Sequence, residues 1–335
     1  MKGAAPNASG LTVSATAGDA PAGWDHDVLE AGGTTFHSSA MGAAAIARGQ
    51  EAWYLRVQRD GQTVALAVGA GIRSRTRILR RPRKLLELQT MPLLTGEGGA
   101  TLAQAVSAIR VFARSEGFGQ VHLSSYADVR PEETPTLEAA GLTLAPRLEF
   151  RVPLAADFEA TLAGMSVGHR RNIRSALTTA FEFIEDTSLE GAMLLRELQE
   201  TTYGRRHRQG NLSARAWAVD DYETVMRAYL AQGAIRFWFV RREGRTLSGV
   251  GIMTLGPWAY YFLGGTNQEG YGCGAVFALF GHLIPYLASQ GVTELNLGGM
   301  AVGAEQKGHI EHGLYRFKTG FGARVVRCFV ATGST

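Results

Sequence analysis

Lysine is scarce in this chain. Of 34 basic residues only Lys2, Lys84, Lys307 and Lys318 are lysines, and the rest are arginines. Cysteine is scarcer. Cys273 and Cys328 make no CxxC pair and no disulfide framework, which fits a reducing compartment. No run of eighteen apolar residues occurs, so nothing reads as a membrane-spanning helix. Residues 1–20 are rich in Gly, Ala, Ser and Thr and lack the apolar segment of a secretion signal. They read as a disordered tail on a cytoplasmic protein. The net charge of +4, with a pI near 9.2, excludes a histone-like polycation yet permits an anionic partner.

What is present is a core. The 335 residues are 45% hydrophobic, enough for two domains of about 150 residues each. Trp53 to Val57 alternates, Asp60-Gly61 is a tight turn, and Thr63 to Val68 returns, which predicts a hairpin. Leu102, Val106, Ile109 and Phe112 share one face of a predicted helix over 101–116 that Gly117 stops. Val121-His122-Leu123 then reads as a buried strand, and residues 148–152 as another.

The second half repeats this order. Asp60-Gly61-Gln62-Thr63-Val64 matches Glu243-Gly244-Arg245-Thr246-Leu247 at an offset of 183 positions. Arg114-Ser115-Glu116-Gly117 matches Ala288-Ser289-Gln290-Gly291, and Gln120-Val121-His122-Leu123 matches Glu294-Leu295-Asn296-Leu297, both at 174. A period this long predicts two copies of one α/β domain, each a mixed, twisted sheet with flanking helices. The expected boundaries are a tail over 1–20, a first domain over 21–152 and a second over 153–335.

The densest stretch lies near the C-terminus. Residues 313–322 hold Arg316 and Lys318, three aromatics and three glycines. Just before it, Leu295-Asn296-Leu297-Gly298-Gly299 reads as a strand opening into a glycine turn. Two readings are open. One is a surface β-hairpin with a core Phe and a solvated Lys. The other is a site in which an aromatic-flanked lysine meets a base and a phosphate or oxyanion.

Three segments then carry a family resemblance. Gly168-His169-Arg170-Arg171-Asn172-Ile173-Arg174-Ser175-Ala176 resembles the RR-x-IRKA helix of the FemABX-like aminoacyl-tRNA-dependent transferases. Leu295 to Gly299 resembles that family's DLGG turn, and Tyr315-Arg316-Phe317-Lys318-Thr319-Gly320-Phe321-Gly322 its Y-x-FK-x-GFG segment. The resemblance runs from about residue 34 to 327. It implies tandem GNAT-like acyltransferase domains with a cleft between them. It also implies transfer of an amino acid from aminoacyl-tRNA, the co-substrate, to a peptide-like amine, with no further cofactor.

Carried over residue by residue, the resemblance implies catalytic roles for Lys318 and Phe317, and acceptor binding by Arg205, Arg208, Tyr261 and His37. It places tRNA phosphates near Arg316, Arg324, Arg171 and Arg174. The chain departs from the pattern at Asn296 and Ser124, where the family has acids, and at His37, where it has a stronger cation. Loss of that cation points away from a UDP-linked precursor and toward the acceptor of a peptide or peptidyl-nucleoside antibiotic. A peptidoglycan interpeptide bridge remains the alternative.

The basic run over 73–83 reads either as a tRNA-stem contact or as a charged edge strand. His309-Ile310-Glu311-His312 offers two histidines without a third ligand, so no metal is expected. Gln268-Glu269-Gly270-Tyr271-Gly272-Cys273-Gly274 resembles the pyrophosphate loop of CoA-dependent acetyltransferases, which keeps a CoA-dependent N-acyltransferase as the rival class.

Overall fold

The computed structural model describes residues 2–3, 10–73, 84–96, 99–124, 131–208, 210 and 218–335. The basic run over 74–83 lies outside them. The chain divides into two compact units, one of Met1–Arg147 with Arg327–Thr335, the other of Leu148–Val326.

The first unit runs β1 (Lys2–Gly3), β2 (Thr12–Ala17), α1 (Trp24–Glu30), α2 (Ser39–Ala47), β3 (Glu51–Arg59), β4 (Gln62–Arg73), β5 (Lys84–Leu88), β6 (Leu93–Leu94), α3 (Leu102–Ser115), β7 (Phe118–Leu123) and α4 (Thr134–Ala139). Then comes β8 (Thr143–Pro153), which crosses the boundary. The second unit runs α5 (Phe158–Ala163), α6 (Val167–Leu177), β9 (Glu182–Asp186), α7 (Leu189–Arg208), α8 (Val219–Ala231), β10 (Ile235–Arg242), β11 (Arg245–Leu255), β12 (Trp258–Thr266), α9 (Gln268–Cys273), α10 (Ala275–Ser289), β13 (Glu294–Ala301) and α11 (His312–Gly320). The last strand, β14 (Arg324–Ser334), crosses back.

Local chemistry sets these elements. Asp60-Gly61 and Glu243-Gly244 turn their hairpins with φ of 50° and 81°, and 52° and 72°, the left-handed pair that matches strand twist. Thr101 and Gln104 exchange side-chain and backbone hydrogen bonds at the start of α3, a capping box that fixes its first turn. Val106, Ile109 and Phe112 then pack on Trp53, Leu55 and Val121 in the first core. Phe150, Trp238, Val250, Phe280 and Phe321 centre the second.

Sheet order repeats with the elements. The first unit has β2-β3-β4-β5-β7, the second β9-β10-β11-β12-β13. In each, only the last neighbours are parallel, β5 with β7 and β12 with β13. A final strand closes each sheet. In the first unit it is β14, whose Ala331–Ser334 pair antiparallel with Leu123–Gln120. In the second it is the Leu148–Pro153 part of β8, beside β13. The expected boundaries of 21–152 and 153–335 therefore need correction, because residues 148–152 belong to the second sheet and 327–335 to the first.

The disordered tail needs the same correction. Residues 12–17 form β2, in register with β3 from Thr12 opposite Gln58 to Ala17 opposite Trp53. Leu11, Val13 and Ala15 alternate into the core. Burying a side chain such as Leu11 or Val13 gains about 1.5–3 kcal/mol, enough to order a short Gly- and Ala-rich segment. No helix of the described residues is long and apolar enough to cross a membrane.

Candidate functional site

Residues 313–320 lie in a helix, and 321–322 in the turn after it, rather than in a hairpin. The α11 helix buries Lys318 and Gly320 and leaves Arg316 exposed. Lys318 is not a solvated lysine: it is 8% exposed. Its Nζ donates to Gly298 O at 3.1 Å and Gly299 O at 3.2 Å, and sits 5.1 Å over the Phe150 ring.

Those carbonyls are available because of how β12 and β13 part. The strands pair only from Trp258 with Glu294 to Tyr260 with Asn296. Beyond that point β13 runs on without β12, and carbonyls on that edge need other donors. The cation supplies them.

Asn296 extends the network. Its Oδ1 accepts from Gly298 N–H at 2.8 Å, and its Nδ2 donates to Glu149 Oε2 at 3.0 Å. Glu149, Asn296, Gly298 and Lys318 thus form one hydrogen-bonded chain from β8 to α11. Glu149 is fully buried. Arg151, two residues along, lies 3.6 Å from Glu149 and 3.7 Å from Glu294. Where the family resemblance expects an acid at 296, the carboxylate stands one strand away. The sequence signal was there: Leu148-Glu149-Phe150-Arg151-Val152 alternates apolar residues with two opposite charges, and both faces are covered.

A second residue that the motifs did not single out holds α11 in place. His169 on α6 bonds Phe317 O through Nε2 at 3.0 Å and Ser166 Oγ through Nδ1 at 3.1 Å. Burial lowers its pKa against the opposing pull of the Phe317 carbonyl. Its ring lies edge-on to Phe321, 4.7 Å between centroids. Gly320 is required here, since any Cβ would fall within the imidazole.

Phe317 faces a cavity of about 350 Å³ in the second unit, lined also by Arg205, Arg206, Tyr261, Tyr271 and Glu311. Arg205 stacks on Tyr271, 4.2 Å from the ring centroid, and donates to its hydroxyl at 2.9 Å. Tyr261 stacks on Phe280. Burial pushes its phenol well above the ordinary value, so it stays a neutral donor. Gly264 makes room for that hydroxyl, which a Cβ would strike.

Of the acceptor residues expected from sequence, the cavity thus gathers Arg205 and Tyr261, with Phe317. Arg208 is exposed at the end of α7 and outside the cavity lining.

His37 must be corrected. It belongs to the other unit and is 3% exposed, with Nδ1 on Thr34 N–H and Oγ1 and Nε2 3.0 Å from Met91 O. Burial lowers its pKa to about 4, so at neutral pH it is an uncharged turn-capping residue and no phosphate ligand.

The expected tRNA contacts divide. Arg171 and Arg316 are exposed. Arg174 pairs with Glu159 at 2.6 Å, and Arg324 with Glu294 at 2.6 Å. His309 Nδ1 accepts from Glu311 N–H, and His312 Nδ1 faces Ala304 O. Among the described residues, no three His, Cys, Asp or Glu side chains are grouped to hold a metal. Ser124 bonds through its N–H to Leu88 O at the end of β7.

Residues 167–319 match the family model described as an Acetyltransferase (GNAT) domain. Among solved structures, FemX is similar over 94% of this chain and 96% of its own, at 15% identity and a TM-score of 0.76. A tandem GNAT protein from the clavulanic acid biosynthesis pathway is similar over 96% and 98%, at 13% identity and a TM-score of 0.52. L-PGS from Bacillus licheniformis is similar over 93% and 91%, at 15% and 0.55. No curated protein sequence matches.

The fold is tandem GNAT. The matched stretch holds His169, Asn296, Gly298, Phe317 and Lys318 but not Glu149. It also holds the glycine run before α10, which is wound up as α9. There Gly270 N–H donates to Asn267 Oδ1 and Tyr271 N–H to Asn267 O. Two amides that an open phosphate loop would present are engaged within the turn.

Proposed function

We propose that this GNAT-type protein transfers an amino acid from aminoacyl-tRNA to the amino group of a peptide-like acceptor, forming a peptide bond. The observation that carries the reading is the placement of Phe317 and Lys318. The ring faces a cavity lined by Arg205, Arg206 and Tyr261, and the adjacent ammonium is held by the freed carbonyls of β13. The likeness of the fold to FemX supports it. The engaged amides of α9 favour it over a CoA-dependent N-acyltransferase.

An aminoacyl ester is already activated, so positioning and charge stabilisation suffice. Phe317 stacks beside the terminal adenosine. Lys318 exchanges a carbonyl for the developing oxyanion or a terminal phosphate. Arg171, Arg174, Arg316 and Arg324 meet backbone phosphates. Arg205 and Arg208 flank the acceptor's anionic part, and Tyr261 donates a hydrogen bond to the acceptor. The amine nitrogen forms the new C–N bond, the ester C–O bond breaks, and the ribose hydroxyl leaves with a proton.

The missing cation at 37, where the resemblance expects a stronger one, favours an acceptor without a diphosphate, as in a peptide or peptidyl-nucleoside antibiotic made in the cytoplasm. The test is purified protein with tRNA charged with labelled amino acids, and a panel of peptide amines beside a UDP-linked muropeptide. Label should pass to a peptide amine and ribonuclease should abolish the transfer. Transfer only to the muropeptide would refute the acceptor class. Transfer that survives ribonuclease and needs acetyl-CoA would refute the donor.

A further inference from the structure

We infer that the cavity of the second unit binds a zwitterionic group, its ammonium held by Glu311 and its anion by Arg206. The inference rests on the acceptor site just proposed and assigns that acceptor its charge pattern. Arg205, one residue before, is committed to Tyr271 by stacking and by a hydrogen bond. Arg206 is half-buried, lines the cavity, and has no ion pair or hydrogen bond among the described residues. Glu311 lines the same cavity from the turn before α11. Its backbone N–H is taken by His309 Nδ1 at 3.1 Å, and its carboxylate has no partner among the described residues.

Two opposite charges therefore share one cavity without pairing to each other. Each is solvated by water that an entering ligand must displace. A ligand with both signs replaces that solvation at both ends. A ligand with one sign leaves the other group desolvated and unpaired, which costs more than the missing bond. The cavity thus selects by penalty as well as by attraction.

Beside Arg205, which stays on Tyr271, the rest of the named wall is neutral. Tyr261 keeps its proton through burial, and Phe317 offers only a ring face. About 350 Å³ is at the small end for ligand pockets and suits a body of dipeptide size. Free amines without a nearby carboxylate, and N-capped peptides, are accordingly poor ligands.

The test is calorimetric titration of the full-length protein, without tRNA, by L-alanyl-L-alanine, its C-terminal amide and its N-acetyl derivative. The free dipeptide should bind about tenfold or more tightly than either capped form. Arg206→Gln should erase the preference over the amide and keep that over the N-acetyl form. Glu311→Gln should do the reverse, with both variants melting like the parent. Equal binding of the three compounds, no measurable binding of any, or preferences unchanged in both variants would overturn the inference. Since no donor is present, absence of aminoacyl transfer with this pattern intact refutes the proposed function alone. Transfer with a flat pattern refutes only the zwitterion site.

Discussion

The two units build the same parallel pair and end it differently. In the first, β5 and β7 stay paired from Lys84 to Leu88, and Ser124 N–H adds one more bond to Leu88 O. In the second, β12 and β13 separate after Tyr260 and Asn296. The closed pair ends in buried leucines, Leu88 and Leu123. The opened pair ends in a glycine turn whose carbonyls hold a lysine, with Phe317 and Tyr261 facing a cavity. One topology can thus serve as packing in one copy and open onto a cavity in the other. The change takes a shorter ladder and a few polar side chains.

Polar pairs at equivalent positions show the same divergence. His122 and Glu87 face each other across the first parallel pair at 3.3 Å and remain partly exposed. Asn296, at the repeat position of His122, takes its carboxylate from β8 instead, where Glu149 is fully buried.

Glu149→Ala should therefore be the most damaging change. It strips Asn296 and Arg151 of a buried partner, and such losses cost about 3–5 kcal/mol. His122→Ala should cost under about 1 kcal/mol, as expected of a part-exposed pair. Urea unfolding of both variants checks the contrast, and equal losses would erase it.

Lys318→Met should lower the aminoacyl-transfer rate about a hundredfold or more, measured as initial rates with saturating charged tRNA. Full activity would leave the lysine as a clamp on β13 and nothing else.

The first unit should carry the stronger acid sensitivity. His37 is held neutral when folded, with a pKa of about 4. The unfolded chain binds that proton more readily. Its contribution is thus whole above about pH 6.5 and lost as pH falls toward 4, up to about 3 kcal/mol. Denaturation midpoints across that range should slope less in His37→Gln.

The smallest effects belong to the exposed arginines. Arg174→Ala should change stability by less than about 1 kcal/mol, because its pair with Glu159 is solvent-exposed. Arg171→Ala should leave stability alone and reduce the salt dependence of tRNA binding by about one phosphate contact, read from filter binding at several ionic strengths.

Much of the fold was legible in sequence because it is local. The Asp60-Gly61 and Glu243-Gly244 turns, the apolar face of α3 and the glycine that stops it all act within a few residues. The β2 strand was missed because small residues such as Ala15 and Ala17 give a weak alternation beside a Gly-rich lead. The destination of β14 was hidden because nothing near residue 331 names β7, some two hundred residues earlier, as its neighbour. For the site, the motifs marked residues but said nothing of their company. Lys318 was readable as a marked residue, whereas its burial against Gly298 and Gly299 depends on where two strands part. His37 looked like a ligand by position and proved a cap by its hydrogen bonds.

The reciprocal last strands have a consequence for synthesis. The elements of the first unit up to α4 leave the ribosome about two hundred residues ahead of 331–334, and the edge of β7 waits for those residues. Thr335 Oγ1 then donates to Phe118 O, and Arg110 reaches Ser334 O, fastening the strand to α3 and β7. A nascent chain stalled between β8 and β14 would therefore carry an unfinished first sheet, with the free edge of β7 left unpaired.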